Sequence, residues 1–276
     1  MSDTDNNEKI PLVLMSGGLD STTLLYRNLM GSDDTDVDIL YVDGYQHGAK
    51  RVAEQRAIRK ITRWFADHSK ERHIRKMNNL SIGQDYIGVN TKFSQMNHWM
   101  FGALMMINGN RHSRLEIGTV AGDGINLYQH SMEEAWKHLQ YFTKIGDPVP
   151  LATPLALWDK FRLIDELPLE LLDLVWVCEL PVDENGVGVE FTHEAVEKLE
   201  KDDSIPILPC GLCTSCVDHE MALQEAILRK QKKSQLPLLM KRYRTIRKKE
   251  KDHSTKLKIP TDHLVQCGYP DPVNDY

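Results

Sequence analysis

A short apolar run followed at once by small residues stands near the start of the chain, where residues 11–21 read PLVLMSGGLDS. The run from Leu12 to Met15 predicts a strand covered on both faces, as in parallel sheets. Residues Ser16 to Gly18 allow a tight turn, and Ser21 opens a helix, so backbone N–H groups and a helix N-terminus can converge on one anion. The segment therefore predicts an α/β fold whose first loop holds a phosphate.

Two common phosphate-binding motifs do not describe this loop. It lacks the Gly-Lys-Ser/Thr ending of a Walker A motif, and it contains no G-x-G-x-x-G. The alternative interpretation is an ordinary strand, turn and helix capped by Asp20 or Ser21, which needs no ligand.

The order of predicted elements is that of a doubly wound, mostly parallel α/β sheet, whose ligands bind beyond the carboxyl ends of the strands. After the first strand, the apolar runs predict four more, at Val37–Val42, Leu115–Thr119, Val149–Ala152 and Leu174–Val177. Helical spacing predicts helices over Thr22–Met30, Arg51–His68, Met96–Ile107, Ser131–Phe142 and Trp158–Leu172, the last interrupted at Pro168. Residues Met77 to Asn90 show weak periodicity, which predicts a loop.

The composition is typical of a soluble globular protein. The 276 residues are 41% hydrophobic and 27% charged, enough for one substantial core and a small appended module. No apolar run is as long as a membrane span, and the amino terminus MSDTDNNEK is polar and acidic, unlike a secretory signal. We therefore expect a cytoplasmic protein with no membrane partner.

Charge is distributed unevenly along the chain. The segment from Arg229 to Lys258 holds 13 Lys or Arg against Glu250 and Asp252, a net charge of +11 in a chain of net charge −6. Such a segment can meet nucleic acid, a phosphorylated ligand or an acidic partner. The alternative is a solvated helical tail with no ligand.

Four cysteines have the spacing of a metal site. Cys210, Cys213 and Cys216 form C-x-x-C-x-x-C, and Cys178 lies upstream. Four thiolates can close a tetrahedral Zn²⁺ site with bonds of about 2.3 Å, although cysteine triplets also hold iron–sulfur clusters. Cys267 lies far from the others and is interpreted as a spare thiol.

The loop resembles the SGGxDS signature of the PP-loop ATP pyrophosphatases, and together with the four cysteines it resembles the 7-cyano-7-deazaguanine synthase (QueC-like) family. In that family the loop grips the β- and γ-phosphates of ATP while a substrate oxygen attacks the α-phosphate. The resemblance implies a carbon–nitrogen ligase that uses ATP, Mg²⁺ and Zn²⁺. It also implies the substrates 7-carboxy-7-deazaguanine and ammonia, which the family converts to 7-cyano-7-deazaguanine.

The resemblance also implies roles for individual residues. The ATP-binding residues it implies are Ser16, Gly17, Gly18, Leu19, Asp20, Ser21 and Gln46. Those implied to be catalytic are Asp20, Ser21 and Lys160, with Lys160 facing the phosphates as a cation. Substrate contacts are implied for His47, Lys92, Asn97 and Asp123. The zinc ligands are Cys178, Cys210, Cys213 and Cys216.

Some segments depart from the family pattern. Two stretches that contact the deazaguanine in the family are replaced here by GVNTKFSQMN and NLYQHSMEEA. The segment between Cys178 and Cys210 is longer and more acidic than is expected for the family. A second hypothesis therefore keeps adenylation but passes the activated deazaguanine to an amine on a protein or nucleic acid, in a defence or modification system. A third is a tRNA-modifying or RNA-binding PP-loop protein.

The sequence also predicts how the chain is divided and assembled. We expect an ATP pyrophosphatase domain over residues 1–177, a helical zinc-binding region over 178–228 and a basic tail over 229–276, in a homodimer.

Overall fold

A parallel sheet of five strands forms the centre of the chain. The computed structural model describes residues 9–31, 33, 35–43, 48–81, 95–121, 129–143, 147–188 and 193–230. The strands are β1 (Ile10–Leu14), β2 (Val37–Asp43), β3 (Ile74–Ser81), β4 (His112–Glu116) and β5 (Leu151–Ala152). Their order in the sheet is β3-β2-β1-β4-β5, and every pair is parallel. The predicted α/β sheet is confirmed, and its strand order reverses between β1 and β4.

Helices connect the strands. They are α1 (Leu19–Met30), α2 (Gly48–His68), α3 (Gln95–Met106), α4 (Gln129–Thr143), α5 (Lys160–Glu166), α6 (Leu169–Leu172), α7 (His193–Lys201) and α8 (Thr214–Lys230). The predicted break at Pro168 is confirmed, because this residue caps α6 and separates it from α5. Within the described ranges, no helix has both the length and the apolar character needed to cross a membrane.

The two faces of the sheet follow from the alternation of side chains along β1 and β2. Val13 and Ile39 point into an apolar cluster with α1, α2, α5, α6 and α8. Leu12 and Leu40 point to the other face, where α3 and α4 cover them. Ala222 of α8 belongs to the first cluster, so the helix that follows the cysteines is packed into the main core.

Two predictions of local structure are wrong. Residues Met77 to Ser81 were predicted as loop, but they belong to β3, an edge strand that pairs with β2 alone and leaves most of its side chains exposed. Such a strand carries no apolar run. Residues Leu174 to Val177 form no strand, because Trp176 donates its backbone N–H to the carbonyl of Gly17 (2.8 Å) instead of joining the sheet. The third predicted strand is displaced, since β4 begins at His112 and ends at Glu116.

Charged side chains are buried at the amino ends of the strands, on the side opposite the first loop. The Asp38 carboxylate accepts hydrogen bonds from Arg111 Nη2 (2.8 Å) and His112 Nε2 (3.1 Å). Burial alone would raise the pKa of Asp38, but these partners lower it to about 2. These contacts connect β2 with the start of β4, the two strands that flank β1 in the sheet.

The acidic segment between Cys178 and Cys210 packs against α2. Arg56 donates to the carbonyls of Leu199 (2.7 Å), Asp202 (2.7 Å) and Ile205 (2.6 Å), which satisfies acceptors at the end of α7. Val196 and Leu199 of α7 join Ala49 and Val52 in a small apolar cluster. Helix α7 and residues 202–205 are therefore fixed to α2.

Candidate nucleotide and metal site

A cleft opens at the carboxyl ends of β1, β2 and β4, where the strand order reverses. It encloses about 510 Å³ of space, part of which is open to solvent. Ser16, Gly18, Asp20, Ser21 and Gly118 line one side. Open α/β sheets bind their ligands at this position.

Hydrogen bonds within the first loop hold it closed. Ser21 Oγ donates to the carbonyl of Gly18 (3.2 Å) and accepts from the backbone N–H of Ser16 (3.2 Å). The N–H of Gly18 donates to Ser16 Oγ (3.3 Å). Helix α1 begins directly after Gly18, and no side chain in the described part of the chain caps it. The first turn of α1 therefore presents backbone N–H groups to the cleft, which is the arrangement that binds phosphate.

Glycines allow the loop to fit between two neighbouring elements. Gly17 has φ +76°, and a Cβ there would lie 3.0 Å from the Glu54 carbonyl oxygen of α2. At Gly118, after β4, a Cβ would lie 2.9 Å from both Asp20 C and Ser21 N. Sequence reasoning missed Gly118, although a glycine inside the strand predicted at Leu115–Thr119 was a signal of close backbone approach.

The structure brings most of the predicted loop residues together. Ser16, Gly18, Asp20 and Ser21 line the cleft, and Gly17 lies behind it against α2. Leu19 differs, because its side chain is buried in the core and only its backbone belongs to the first turn of α1.

Lys160 is the first residue of α5 and is half-buried. It is not among the residues that line the cleft in the described ranges. Burial and the nearby Lys160 ammonium lower the pKa of His219 on α8, so Lys160 lies close to that imidazole. Its contact with phosphate stays a prediction.

Other predicted contacts fall outside the described residues. These are Gln46, His47, Lys92 and Asp123. Asn97 lies in α3, but its side chain is also outside the described part. Their roles stay predictions.

The four predicted metal ligands meet in one place. All four sulfur atoms lie within 4.8 Å of one another. The Cys178 sulfur is 3.6 Å from that of Cys210 and 4.0 Å from that of Cys213. A tetrahedral ion with bonds of about 2.3 Å needs sulfurs about 3.8 Å apart, so the residues fit one metal ion.

Local backbone geometry supports this cysteine cluster. Gly211 has φ +68°, which turns the chain between Cys210 and Cys213. The N–H of Cys213 donates to Cys210 Sγ (3.3 Å), and the N–H of Cys210 donates to Cys178 Sγ (3.2 Å). Hydrogen bonding from Cys178 and the other two cysteines lowers the pKa of Cys210, which favours its thiolate form.

One residue connects the loop with the cysteine cluster. The backbone N–H of Trp176 donates to the carbonyl of Gly17 (2.8 Å), and its indole N–H donates to the carbonyl of Cys178 (2.9 Å). Its side chain packs against both the main core and the cysteines. Cys178 is therefore two residues from a direct contact with the first loop.

A chain of buried polar groups runs beside this connection. Tyr41, which lines the cleft, donates its hydroxyl to Glu54 Oε2 (2.9 Å). Lys50 Nζ lies 3.6 Å from Glu54 Oε1 and 2.5 Å from Glu179 Oε2. Burial raises the pKa of Glu54 to about 7, although the Lys50 ammonium opposes the shift. Sequence reasoning missed these residues because each lies in a stretch that reads as ordinary strand, helix or loop.

No protein-family model matches the sequence, and no curated protein matches it. Among solved structures, the chain is similar to the U34-tRNA thiolase NcsA from Methanococcus maripaludis, determined with its [4Fe-4S] cluster. The identity is 12% and the TM-score 0.40, over 82% of this chain and 73% of that chain. A similarity at this level supports no conclusion on activity, so a functional interpretation depends on the geometry of the cleft and of the cysteine cluster.

Proposed function

We propose that the chain is a PP-loop ATP pyrophosphatase that transfers AMP from ATP to a carboxylate. The observation that carries this proposal is the closed loop Ser16 to Ser21, which opens into an uncapped helix at the carboxyl edge of a parallel sheet. The loop has the SGGxDS sequence at the position where such sheets bind nucleotides. The proposed acid is 7-carboxy-7-deazaguanine, and ammonia is the proposed nitrogen nucleophile.

The geometry suggests how the residues divide the reaction. Backbone N–H groups of the loop and the dipole of α1 hold the β- and γ-phosphates. A carboxylate oxygen of the substrate attacks the α-phosphorus, the bond to the β-phosphate oxygen breaks, and pyrophosphate leaves. Fixed N–H donors stabilise the charge that develops on pyrophosphate, and Lys160 is proposed to add a cation.

Asp20 is the proposed ligand of Mg²⁺. It lies in the first turn of α1 and lines the cleft, so its carboxylate can reach an ion held by the phosphates. When bound, Mg²⁺ supplies charge neutralisation of the phosphates. The proposed role of Asp20 is to bind the positively charged ion next to the loop.

The cysteine cluster is proposed to hold one structural Zn²⁺. Four thiols leave no open coordination position, which is typical of structural zinc. The distances of 3.6 and 4.0 Å between sulfurs support a single ion, because cysteines of an iron–sulfur cluster bind different irons and stand further apart. Metal analysis of the purified chain decides between the two.

The first test is release of pyrophosphate from ATP and Mg²⁺ with 7-carboxy-7-deazaguanine as substrate. We expect Asp20→Ala to lower the rate at least a hundredfold. Asp67→Ala is the matched control, since Asp67 is exposed on α2, away from the cleft residues, and should leave the rate unchanged. If the wild type releases no pyrophosphate, the substrate assignment fails. If Asp20→Ala turns over normally, the assignment of the loop fails as well.

A second candidate keeps ATP cleavage but places the acceptor on a macromolecule, either an amine of a protein or a tRNA. The observation that favours it is the +11 charge of residues 229–258, which suits a polyanion. Intact-mass analysis of candidate proteins and nucleoside analysis of tRNA after reaction test it. Steeply salt-dependent tRNA binding that disappears on truncation after Lys230 supports the tRNA acceptor, whereas free 7-cyano-7-deazaguanine as the only product contradicts both.

A further inference from the structure

The cleft has two chemically different sides. The loop side carries hydroxyls, a carboxylate and backbone N–H groups, whereas the other side is apolar. The apolar side is formed by Leu14, Leu40, Val42, Trp99 and Ile117. Trp99 is the aromatic residue of that wall, and its side chain is only partly buried.

Trp99 reaches the cleft because α3 packs very closely on the sheet. A Cβ at Gly102 would lie 2.6 Å from Val42 Cγ2, so glycine is needed where α3 crosses β2. Trp99 lies one turn before Gly102 on the same face of the helix. Side chains on a helix tilt toward its N-terminus, which here carries the indole beyond Val42 to the carboxyl end of the sheet.

We propose that the indole of Trp99 stacks on a planar heteroaromatic ring of a ligand that binds in this cleft beside the loop. This inference rests on the proposed function and deepens it, because it names a residue that selects the ring. Aliphatic side chains stabilise a bound ring only by burying its apolar surface. An indole also stacks on the face of a base. Phosphate at the loop and an aromatic ring at Trp99 together match a nucleotide-like ligand.

Two ligands of the proposed reaction carry such a ring. ATP carries adenine, and 7-carboxy-7-deazaguanine carries a deazapurine. Their shared chemistry is a flat, nitrogen-containing bicycle. Both present a π-face, and stacking on an aromatic side chain tolerates either. The experiment therefore uses one probe for each source.

The test compares the wild type with Trp99→Leu and Trp99→Phe by calorimetric titration. The three probes are α,β-methylene-ATP, tripolyphosphate and 7-carboxy-7-deazaguanine. We expect Trp99→Leu to weaken the binding of one ring-bearing probe by about tenfold or more, and Trp99→Phe to restore most of it. Tripolyphosphate has no ring, so its affinity should not change. Weaker binding of the methylene analogue assigns Trp99 to adenine, and weaker binding of the acid assigns it to the substrate.

Trp64→Leu is the matched control. Trp64 stacks on His68 within α2 (4.2 Å between ring centroids) and is not a lining residue of the cleft. Circular dichroism and thermal unfolding establish that each variant is folded. If folded Trp99→Leu binds all three probes as the wild type does, the stacking contact is wrong while the proposed function stands. The contact is also wrong if tripolyphosphate binding weakens equally. A wild type that binds none of the probes contradicts the proposed function and the contact together.

Discussion

The loop from Ser16 to Ser21 and the cysteine cluster lie on either side of Trp176, and they are held in different ways. The loop is closed by hydrogen bonds among its own residues, from Ser16 N–H to Ser21 Oγ and from Ser21 Oγ to the Gly18 carbonyl. The cysteine cluster joins Cys178 to a turn more than thirty residues later, and its sulfurs contact one another and accept nearby backbone N–H groups. The loop is therefore a local structure, whereas the cluster joins distant parts of the chain.

This difference predicts different dependence on ligands. A loop that is closed by hydrogen bonds among its own residues keeps its shape without a nucleotide. Four thiols packed together need a metal to neutralise them once they ionise, because metal binding and folding of such sites are coupled. Since Trp176 hydrogen-bonds to both Gly17 and Cys178, damage to the cluster should reach the loop, and damage to the loop should reach the cluster less.

The largest expected effect is that of removing the metal. Chelation, or Cys213→Ser, should lower the free energy of unfolding by about 5 kcal/mol or more, because it removes the proposed ion, which would join Cys178 to α8. Affinity for α,β-methylene-ATP should also fall. Thermal unfolding with and without chelator, together with titration of the analogue, measures both.

Cys267→Ser is the control for this experiment, because Cys267 lies outside the C-x-x-C-x-x-C spacing in the sequence. It should change neither stability nor metal content. Unfolding at the same temperature before and after chelation would contradict a structural metal.

A matched pair of glycines compares the two regions directly. Gly17 and Gly211 both have positive φ, +76° and +68°, but a Cβ at Gly17 meets the Glu54 carbonyl at 3.0 Å, and one at Gly211 meets nothing within 4 Å. Gly17→Ala should cost about 3 kcal/mol from strain and overpacking and should weaken nucleotide binding. Gly211→Ala should cost about 1 kcal/mol from strain alone.

Urea unfolding and analogue titration of both variants check this comparison. Equal losses of stability would mean that crowding against α2 contributes nothing at Gly17. Unchanged nucleotide affinity in Gly17→Ala would show that the loop tolerates displacement.

The buried Glu54 beside the loop predicts a dependence on pH. Its pKa is raised from 4.5 to about 7 by burial, so the folded state keeps the proton while the unfolded state loses it. Its contribution to stability is full below about pH 4.5 and declines as the pH rises to about 7, by roughly 2 to 3 kcal/mol. Glu54→Gln should remove this decline, measured by urea unfolding between pH 4.5 and 8.

Asp67→Asn is the control, because Asp67 is an exposed carboxyl on the same helix. That variant should keep the wild-type slope. A Glu54→Gln protein with the wild-type slope would show that Glu54 is already ionised at pH 5.

The smallest expected effect is at the connection itself. Trp176→Phe keeps the backbone hydrogen bond to Gly17 but loses the indole hydrogen bond to the Cys178 carbonyl. A loss of about 1 kcal/mol is expected, with nucleotide affinity little changed. Thermal unfolding measures the stability, and analogue titration measures the nucleotide affinity. A large loss of affinity would show that the indole hydrogen bond, and not the backbone hydrogen bond, couples the cysteine cluster to the loop.

Local signals in the sequence predicted the parts of the fold that local physics controls. The apolar runs of β1 and β2, the helical spacing of α2 and the break at Pro168 are all confirmed. The edge strand β3 was missed because its solvent-facing side chains carry no apolar pattern. The strand predicted at Leu174–Val177 is absent because its backbone donor is used by the loop.

The sequence by itself determined the loop and the cysteine ligands, because glycine turns and C-x-x-C spacing act over a few residues. Only the tertiary structure decided which residues surround them. Gly118 against α1, Trp99 over the cleft and Glu54 beside Tyr41 are contacts between elements far apart in the chain. Such contacts depend on how helices and strands pack, and no short sequence pattern records them.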